Sequence, residues 1–133
     1  MALTLEIVTP ELRALTVECD EVRLPGSEGG FGVRPGHTPL MALLKPGELV
    51  YVAGNDIHRY AVGEGFCEVA ADRVRVLVEE AFRADALNAV EIEKELADRQ
   101  QRLLGMKAGD PAYDLERARL ERVTARLDVA RRH

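Results

Sequence analysis

Six arginines crowd the last 23 residues: Arg117, Arg119, Arg122, Arg126, Arg131 and Arg132. A guanidinium fork suits bidentate contact with carboxylate or phosphate better than a lysine does. Arg122 and Arg126 lie one helical turn apart, which puts two forks on one face. The plainer reading is a solvated helix face with internal pairs such as Glu121 to Arg117. The second unusual stretch is Pro25-Gly26-Ser27-Glu28-Gly29-Gly30-Phe31-Gly32-Val33-Arg34-Pro35-Gly36-His37-Thr38-Pro39. Glycine-rich segments can cradle phosphates, but the dinucleotide fingerprint needs three spaced glycines opening a helix. Pro35 stands where the third would be, and no Gly-Lys-Ser or Gly-Lys-Thr occurs anywhere. A nucleophile elbow needs Gly two residues before the Ser, and Pro25 occupies that place. A tight loop, with glycine for positive φ and proline for stiffness, remains.

The other chemical groups are sparse. His37, His58 and His133 show no metal-ligand spacing, and two distant cysteines do not make a zinc site. His37, between Gly36 and Thr38, can orient a loop through its ring nitrogens. The many acids form no evident buried pair suited to general acid–base work. A cupin-type enzyme would need clustered histidines. The reading is no catalytic residue, no metal and no resident cofactor.

The bulk properties agree. Hydrophobic residues make up 47% of the 133, with no Trp and 5% aromatics, so a core is affordable in one domain. A net charge of −5 excludes a general nucleic-acid binder, which needs a basic field to neutralise phosphates. Only the final 23 residues are basic. Cys19 and Cys67 read as reduced core thiols; a disulfide, the alternative, needs an oxidising compartment. The start Met1-Ala2-Leu3-Thr4-Leu5-Glu6 lacks signal-peptide features, and no apolar run approaches the roughly 20 residues of a membrane span. A soluble cytoplasmic chain is expected, able to sit on a membrane complex.

Two kinds of element must position these groups. Up to residue 84 apolar side chains alternate with period two, the strand signal. Leu3, Leu5 and Ile7 alternate with Thr4 and Glu6, as do Leu15, Val17 and Cys19 with Thr16, Glu18 and Asp20. The apolar set then moves to Val22 and Leu24, which predicts a bulge or bend near Asp20-Glu21. Further strands read at Glu48 to Ala53, Ile57 to Val62, Gly65 to Ala70 and Arg73 to Glu79, with turns at Gly54-Asn55-Asp56 and Ala71-Asp72. From Asp85 the pattern is helical. A first helix runs to Leu104, capped by Asp85, and stops at Gly105. A second runs from about Pro111 to Arg132. Apolar stripes (Ala89, Ile92, Leu96, Leu103 and Tyr113, Leu120, Val123, Leu127, Ala130) can zip together or lie on the strands. The expected fold is an N-terminal antiparallel β-sandwich (1–84), followed by a C-terminal antiparallel two-helix hairpin (85–133). A hairpin alone is marginal, which leaves room for a second arrangement on a partner.

Three segments in order resemble the epsilon subunit of F-type ATP synthases: Leu24 to Leu40, Leu44-Lys45-Pro46-Gly47-Glu48, and Ala61-Val62-Gly63-Glu64-Gly65-Phe66-Cys67-Glu68-Val69 followed by Arg73 to Ala81. The likeness spans essentially the whole chain. It implies a non-catalytic rotor subunit at the foot of the central stalk, peripheral to the cytoplasmic face of a bacterial plasma membrane. The sandwich would contact the gamma subunit and the c-ring. By the same resemblance, Glu28, Gly29, Gly30, Phe31 and Gly32 face the c-ring, with Gly30 where some relatives carry an acid. His37, Pro39 and Leu40 face gamma. The hairpin would be regulatory, allowing hydrolysis when folded down and blocking rotation when extended toward the alpha/beta catalytic head. Arg117, Arg119, Arg122 and Arg126 would then make the inhibitory contact.

Some relatives bind ATP on the folded hairpin. Their motif meets Leu87-Asn88-Ala89-Val90-Glu91-Ile92 here, so the Asp has become Asn88 and the Arg has become Glu91, which repels phosphate. Arg122 and Arg126 match the second-helix arginines. The site is half present. It makes ATP a candidate regulatory ligand, and a nucleotide-sensing module the alternative function.

Overall fold

Among the described residues, ten short strands and two helices follow from that change of period. The computed structural model describes residues 2–11 and 13–133. The strands are β1 (Leu3–Val8), β2 (Arg13–Cys19), β3 (Glu21–Leu24), β4 (Phe31–Val33), β5 (Leu40–Leu44), β6 (Gly47–Ala53), β7 (Asp56–Val62), β8 (Gly65–Ala70), β9 (Arg73–Val78) and β10 (Ala81–Arg83). A 3-10 turn (Ala84–Ala86) leads to α1 (Ala89–Leu104) and α2 (Pro111–Arg132). The strands form two five-stranded sheets, ordered β2-β1-β9-β8-β5 and β10-β7-β6-β3-β4. Pairing is antiparallel except between β1 and β9, which run parallel.

The period-two pattern becomes burial directly. Leu3, Leu5 and Ile7 are wholly buried while Thr4, Glu6 and Val8 face outward. The inner faces meet in one core that includes Val22, Val33, Leu49, Val62, Cys67, Val74 and Val76. Each large apolar side chain buried this way contributes about 1.5–3 kcal/mol.

The break in alternation at Asp20-Glu21 is a corner where the chain leaves the first sheet and enters the second. Asp20 N–H donates to the Val52 carbonyl at 2.7 Å. Its carboxylate accepts from Gly54 N–H at 2.8 Å. The corner is thereby fastened to the β6–β7 turn. Ala71 and Asp72 hold the β8–β9 turn at φ 51° and 59°, the left-handed pair of a two-residue hairpin.

The helical part starts later than its composition predicts. Asp85 does not cap α1; it lies in the 3-10 turn and pairs with Arg83 at 3.2 Å. Leu87 is extended (ψ 139°), so the cap falls to Asn88, whose side chain accepts from Glu91 N–H at 3.1 Å. Asp110 caps α2, with Pro111 in the first turn. At the end of α1, Gly105 keeps a negative φ (−86°) and bonds to the Arg102 carbonyl, so the last turn tightens without a left-handed residue.

α2 lies on the outer face of β6 and β7, and α1 packs on α2. The seam against the sheet is thin. Val50 and Ala61 on the sheet and Ala125 and Val129 on α2 are buried there. Between the helices a second cluster forms from Ile92, Val123 and Leu127, with Leu87, Ala89, Leu96 and Ala130 around it. The two stripes do not zip along their full length. Toward the hairpin tip Leu103 and Tyr113 are half-buried, and Leu104 is 81% exposed.

Candidate functional site

Three surfaces carry the residues that the sequence singles out. The glycine-rich segment is a projecting tip. Gly29 N–H bonds to the Gly26 carbonyl at 3.0 Å, with Gly29 at φ 131°. A Cβ on Gly26 would sit 2.5 Å from the Gly29 carbonyl and 3.0 Å from the Phe31 ring, so only glycine permits this closure. Glu28, Gly29, Gly30 and Gly32 are exposed, and Phe31 is half-buried. The tip presents backbone and one carboxylate.

The following loop is tied to the β8–β9 turn through Gly36 N–H and the Asp72 carboxylate, at 2.7 Å. His37 Nδ1–H donates to the Thr38 carbonyl at 2.7 Å, so the ring orients the loop. Pro39 is exposed, and Leu40 packs partly against the core.

The second surface is the outer face of the first sheet. Register places Val8 beside Leu77, Leu77 beside Phe66 and Phe66 beside Leu43, an apolar row across four strands. Met41 and Leu43 on the edge strand β5 are 70% and 67% exposed. An uncharged apolar edge is unusual, because edge strands usually carry charge or proline against unwanted pairing. A shallow cavity of about 350 Å³ lies at the end of the row, lined by Val8, Pro10, Phe66, Leu77 and Glu79 among others. Reading alternate positions misses this surface. The signal was the run Leu40-Met41-Ala42-Leu43-Leu44, apolar on both faces.

The third surface joins hairpin to sandwich. Arg122 grips Glu64 with both arms of its fork, Nε to Oε1 at 2.7 Å and Nη2 to Oε2 at 2.8 Å. Arg126, one turn on, donates to both oxygens of Glu95 at 3.2 Å. Its Nε lies 3.0 Å from Glu80 Oε2. That N–H is not directed at the carboxylate, so the buried nitrogen makes no hydrogen bond. The guanidinium also lies 5.4 Å from the Phe82 ring centroid, within cation–π range. Arg99 extends the chain of charges from Glu95 to the buried Glu116 at 2.8 Å. At the far end of α2, Arg132 and His133 both contact Glu48, at 3.7 and 2.7 Å.

The acids respond differently to this contact. The Arg122 hydrogen bond holds Glu64 below the usual carboxylate range. Burial pushes Glu80 up, and the nearby Arg126 and Arg122 do not compensate fully. Burial also acts on Glu95, but the bonds from Arg126 and Arg99 outweigh it and hold that carboxyl down.

The four arginines expected to act together divide. Arg122 and Arg126 face the sandwich. Arg117 is exposed and makes no ion pair among the described residues, and Arg119 is exposed with a long 3.8 Å contact to Glu116. The Glu121 to Arg117 pair does not close. Glu64, Glu80 and Glu95 were not singled out by sequence reasoning, although Gly63-Glu64-Gly65 and Glu79-Glu80 mark acids at strand ends.

No catalytic centre emerges among the described residues, and no group of three or more His, Cys, Asp or Glu could hold a metal. His58 stacks on Tyr51 at 4.6 Å. Cys19 and Cys67 are buried free thiols. Burial, with Asp20 adding to it, pushes Cys19 up to about 11, and burial also raises Cys67.

A family model described as the beta-sandwich domain of the ATP synthase delta/epsilon chain matches residues 2–84. Over 132 residues the chain is 51% identical to the ATP synthase epsilon chain of Anaeromyxobacter sp. (strain K), covering 99% of this chain and 100% of the relative. It is 41% identical over 128 residues to the epsilon chain of Myxococcus xanthus (strain DK1622), covering 96% and 94%. Its fold matches a chain of the Euglena gracilis mitochondrial ATP synthase with a TM-score of 0.79 at 20% identity, covering 99% and 82%. A chain of the Tetrahymena thermophila mitochondrial ATP synthase central stalk and c-ring matches with 0.61 at 14% identity, covering 98% and 97%. At those identities the two structures speak to the fold alone.

Proposed function

The chain belongs to the ATP synthase epsilon-chain family, and from that premise we propose that it is a non-catalytic rotor subunit joining the gamma subunit to the c-ring of an F-type ATP synthase. Its relatives are named as a chain of the complex and not as a catalytic subunit. In this reading residues 1–84 dock and residues 85–133 regulate. The assembly lies peripherally at the cytoplasmic face of a bacterial plasma membrane; among the described residues no helix is long and apolar enough to cross one.

The observation that carries the docking role is the uncovered row Val8, Leu77, Phe66 and Leu43, with Met41 beside it. A two-sheet fold has no internal use for apolar side chains on an outer face, and exposed apolar patches mark interaction sites. His37, Pro39 and Leu40, in the loop that leads into the edge strand of this face, are assigned to gamma with it. The exposed tip Glu28 to Gly32 projects from the second sheet and is assigned to the c-ring. The brake is assigned to the hairpin, whose exposed Arg117 and Arg119 lie outside the seam and can meet acidic residues of the catalytic head.

The test is capture of the gamma subunit by the whole chain and by Leu43→Glu and Phe66→Glu variants. Loss of capture with unchanged folding supports the docking face. Full capture by both variants overturns it.

A further inference from the structure

We infer that the folded hairpin is clamped to the sandwich by the chain's own carboxylates, chiefly Glu64 on Arg122, with Glu80 beside Arg126 and Glu48 on Arg132, so that closure needs no nucleotide and weakens as salt rises. The inference rests on the regulatory reading of the hairpin given above, and names what controls it.

The apolar contribution to docking is small. The hairpin and the sandwich have separate cores, and no residue belongs to both. Between them lie two alanines and two valines, Ala61, Ala125, Val50 and Val129. The charged contacts sit along the same helix, at Arg122, Arg126 and the Arg132–His133 end. With so little apolar area in the seam, these pairs decide whether α2 stays down.

The clamp is uneven, which suits a contact that must open. The Arg122–Glu64 pair is bidentate and short, the strong form of a charge-assisted bond. The Arg126–Glu80 contact is poorer, because the buried Nε hydrogen is not aimed at its acid. A buried pair that is imperfectly bonded does not recover its desolvation. One side therefore holds and the other is ready to leave.

The same geometry bears on nucleotide. Both arginines that could meet a triphosphate already hold carboxylates, and Asn88 spends its side-chain oxygen capping α1. A phosphate would have to displace Glu64 from a two-armed contact and then lie near Glu80 and Glu95. The acids facing the Arg122–Arg126 pair would repel a phosphate: Glu64, Glu79 and Glu80 from the sandwich, and Glu95 from α1, itself shared with Arg99.

The experiment is a spin-label distance measurement in the full chain, with labels at Thr16→Cys on the sandwich and Gln101→Cys on the hairpin. The buried native thiols compete little for label. A short, folded-state distance without ATP, unchanged on adding ATP, is expected. Raising salt from about 0.01 M to about 1 M should lengthen it, because screening shortens from about 30 Å to about 3 Å. Glu64→Gln should shift the folded-to-released ratio about tenfold toward release, the loss of one good charge-assisted pair. The swap Glu64→Arg with Arg122→Glu should restore the short distance, which excludes simple misfolding. A folded distance seen only with ATP overturns the inference, as does one indifferent to salt and to Glu64→Gln. If Glu64→Gln releases the hairpin while inhibition of the complex does not change, the clamp stands and the brake reading falls.

Discussion

Arg122 on the last helix and Glu64 just before β8, 58 residues apart in the chain, close on each other through two parallel hydrogen bonds of 2.7 and 2.8 Å. That contact ties the helical hairpin to the sandwich, and it makes hairpin position depend on protonation in a way that can be signed. Glu64 is lowered from 4.5 in the folded arrangement by its bond to Arg122. Its contribution to docking is present above 4.5 and lost as pH falls through its lowered value, whereas Glu95, also lowered, pairs within the hairpin. Glu80 is raised from 4.5, so its contribution runs the other way: the folded form favours its protonated state, which appears as pH falls through the raised value. The spin-label distance is therefore expected to hold or shorten slightly as pH falls from neutrality toward 5. It should lengthen only below about 4.5, as Glu64 loses its charge.

Gly65 is a packing position. A Cβ there would collide with the carbonyl of Leu77 on the paired strand. Gly65→Ala is expected to lower unfolding free energy by about 2 kcal/mol, the range for forced overpacking, in urea titration. Gly30→Ala, whose Cβ would meet nothing nearer than 3.7 Å, should change it by less than about 0.5 kcal/mol.

Cys19 and Cys67 should behave as inert core groups. Both are buried and unpaired, and Cys19 is pushed up to about 11, so neither offers thiolate near neutrality. An aromatic disulfide reagent at pH 8 is expected to titrate neither thiol in the folded chain and both after denaturation. Rapid reaction of either in the native state would contradict the core placement.

The free and the engaged arginines should separate functionally. Arg117→Gln with Arg119→Gln removes charges outside the clamp, so the folded distance should stay while inhibition of hydrolysis weakens several-fold. Arg122→Gln should release the hairpin and raise the population available to inhibit. Equal effects of both on the folded distance would show that the division is wrong.

The sequence carried the large features because they rest on local periodicity. The change from period two to helical spacing, and the shifted alternation at Asp20-Glu21, each follow from which face of an element is buried. The misses are of two kinds. β4, β5 and β10 are three to five residues long, too short for alternation to stand out, and β5 is apolar on both faces. The start of α1 was placed at Asp85 because Asp caps well. Extended Leu87 moved the cap to Asn88, a tertiary choice that propensity does not see. At the candidate site, the arginines were legible from type and spacing. Glu64 and Glu80 were not, because a pair separated by 58 residues exists only once helix and sheet are packed.

The central claim is that the sandwich docks and the hairpin brakes. Its most direct measurement is ATP hydrolysis by an ATP synthase catalytic complex depleted of its epsilon subunit, titrated with the whole chain and with residues 1–84, whose core is separate from that of the hairpin. The account predicts that both bind and that only the whole chain inhibits. Inhibition by residues 1–84 equal to that of the whole chain, or failure of both to bind, would contradict it.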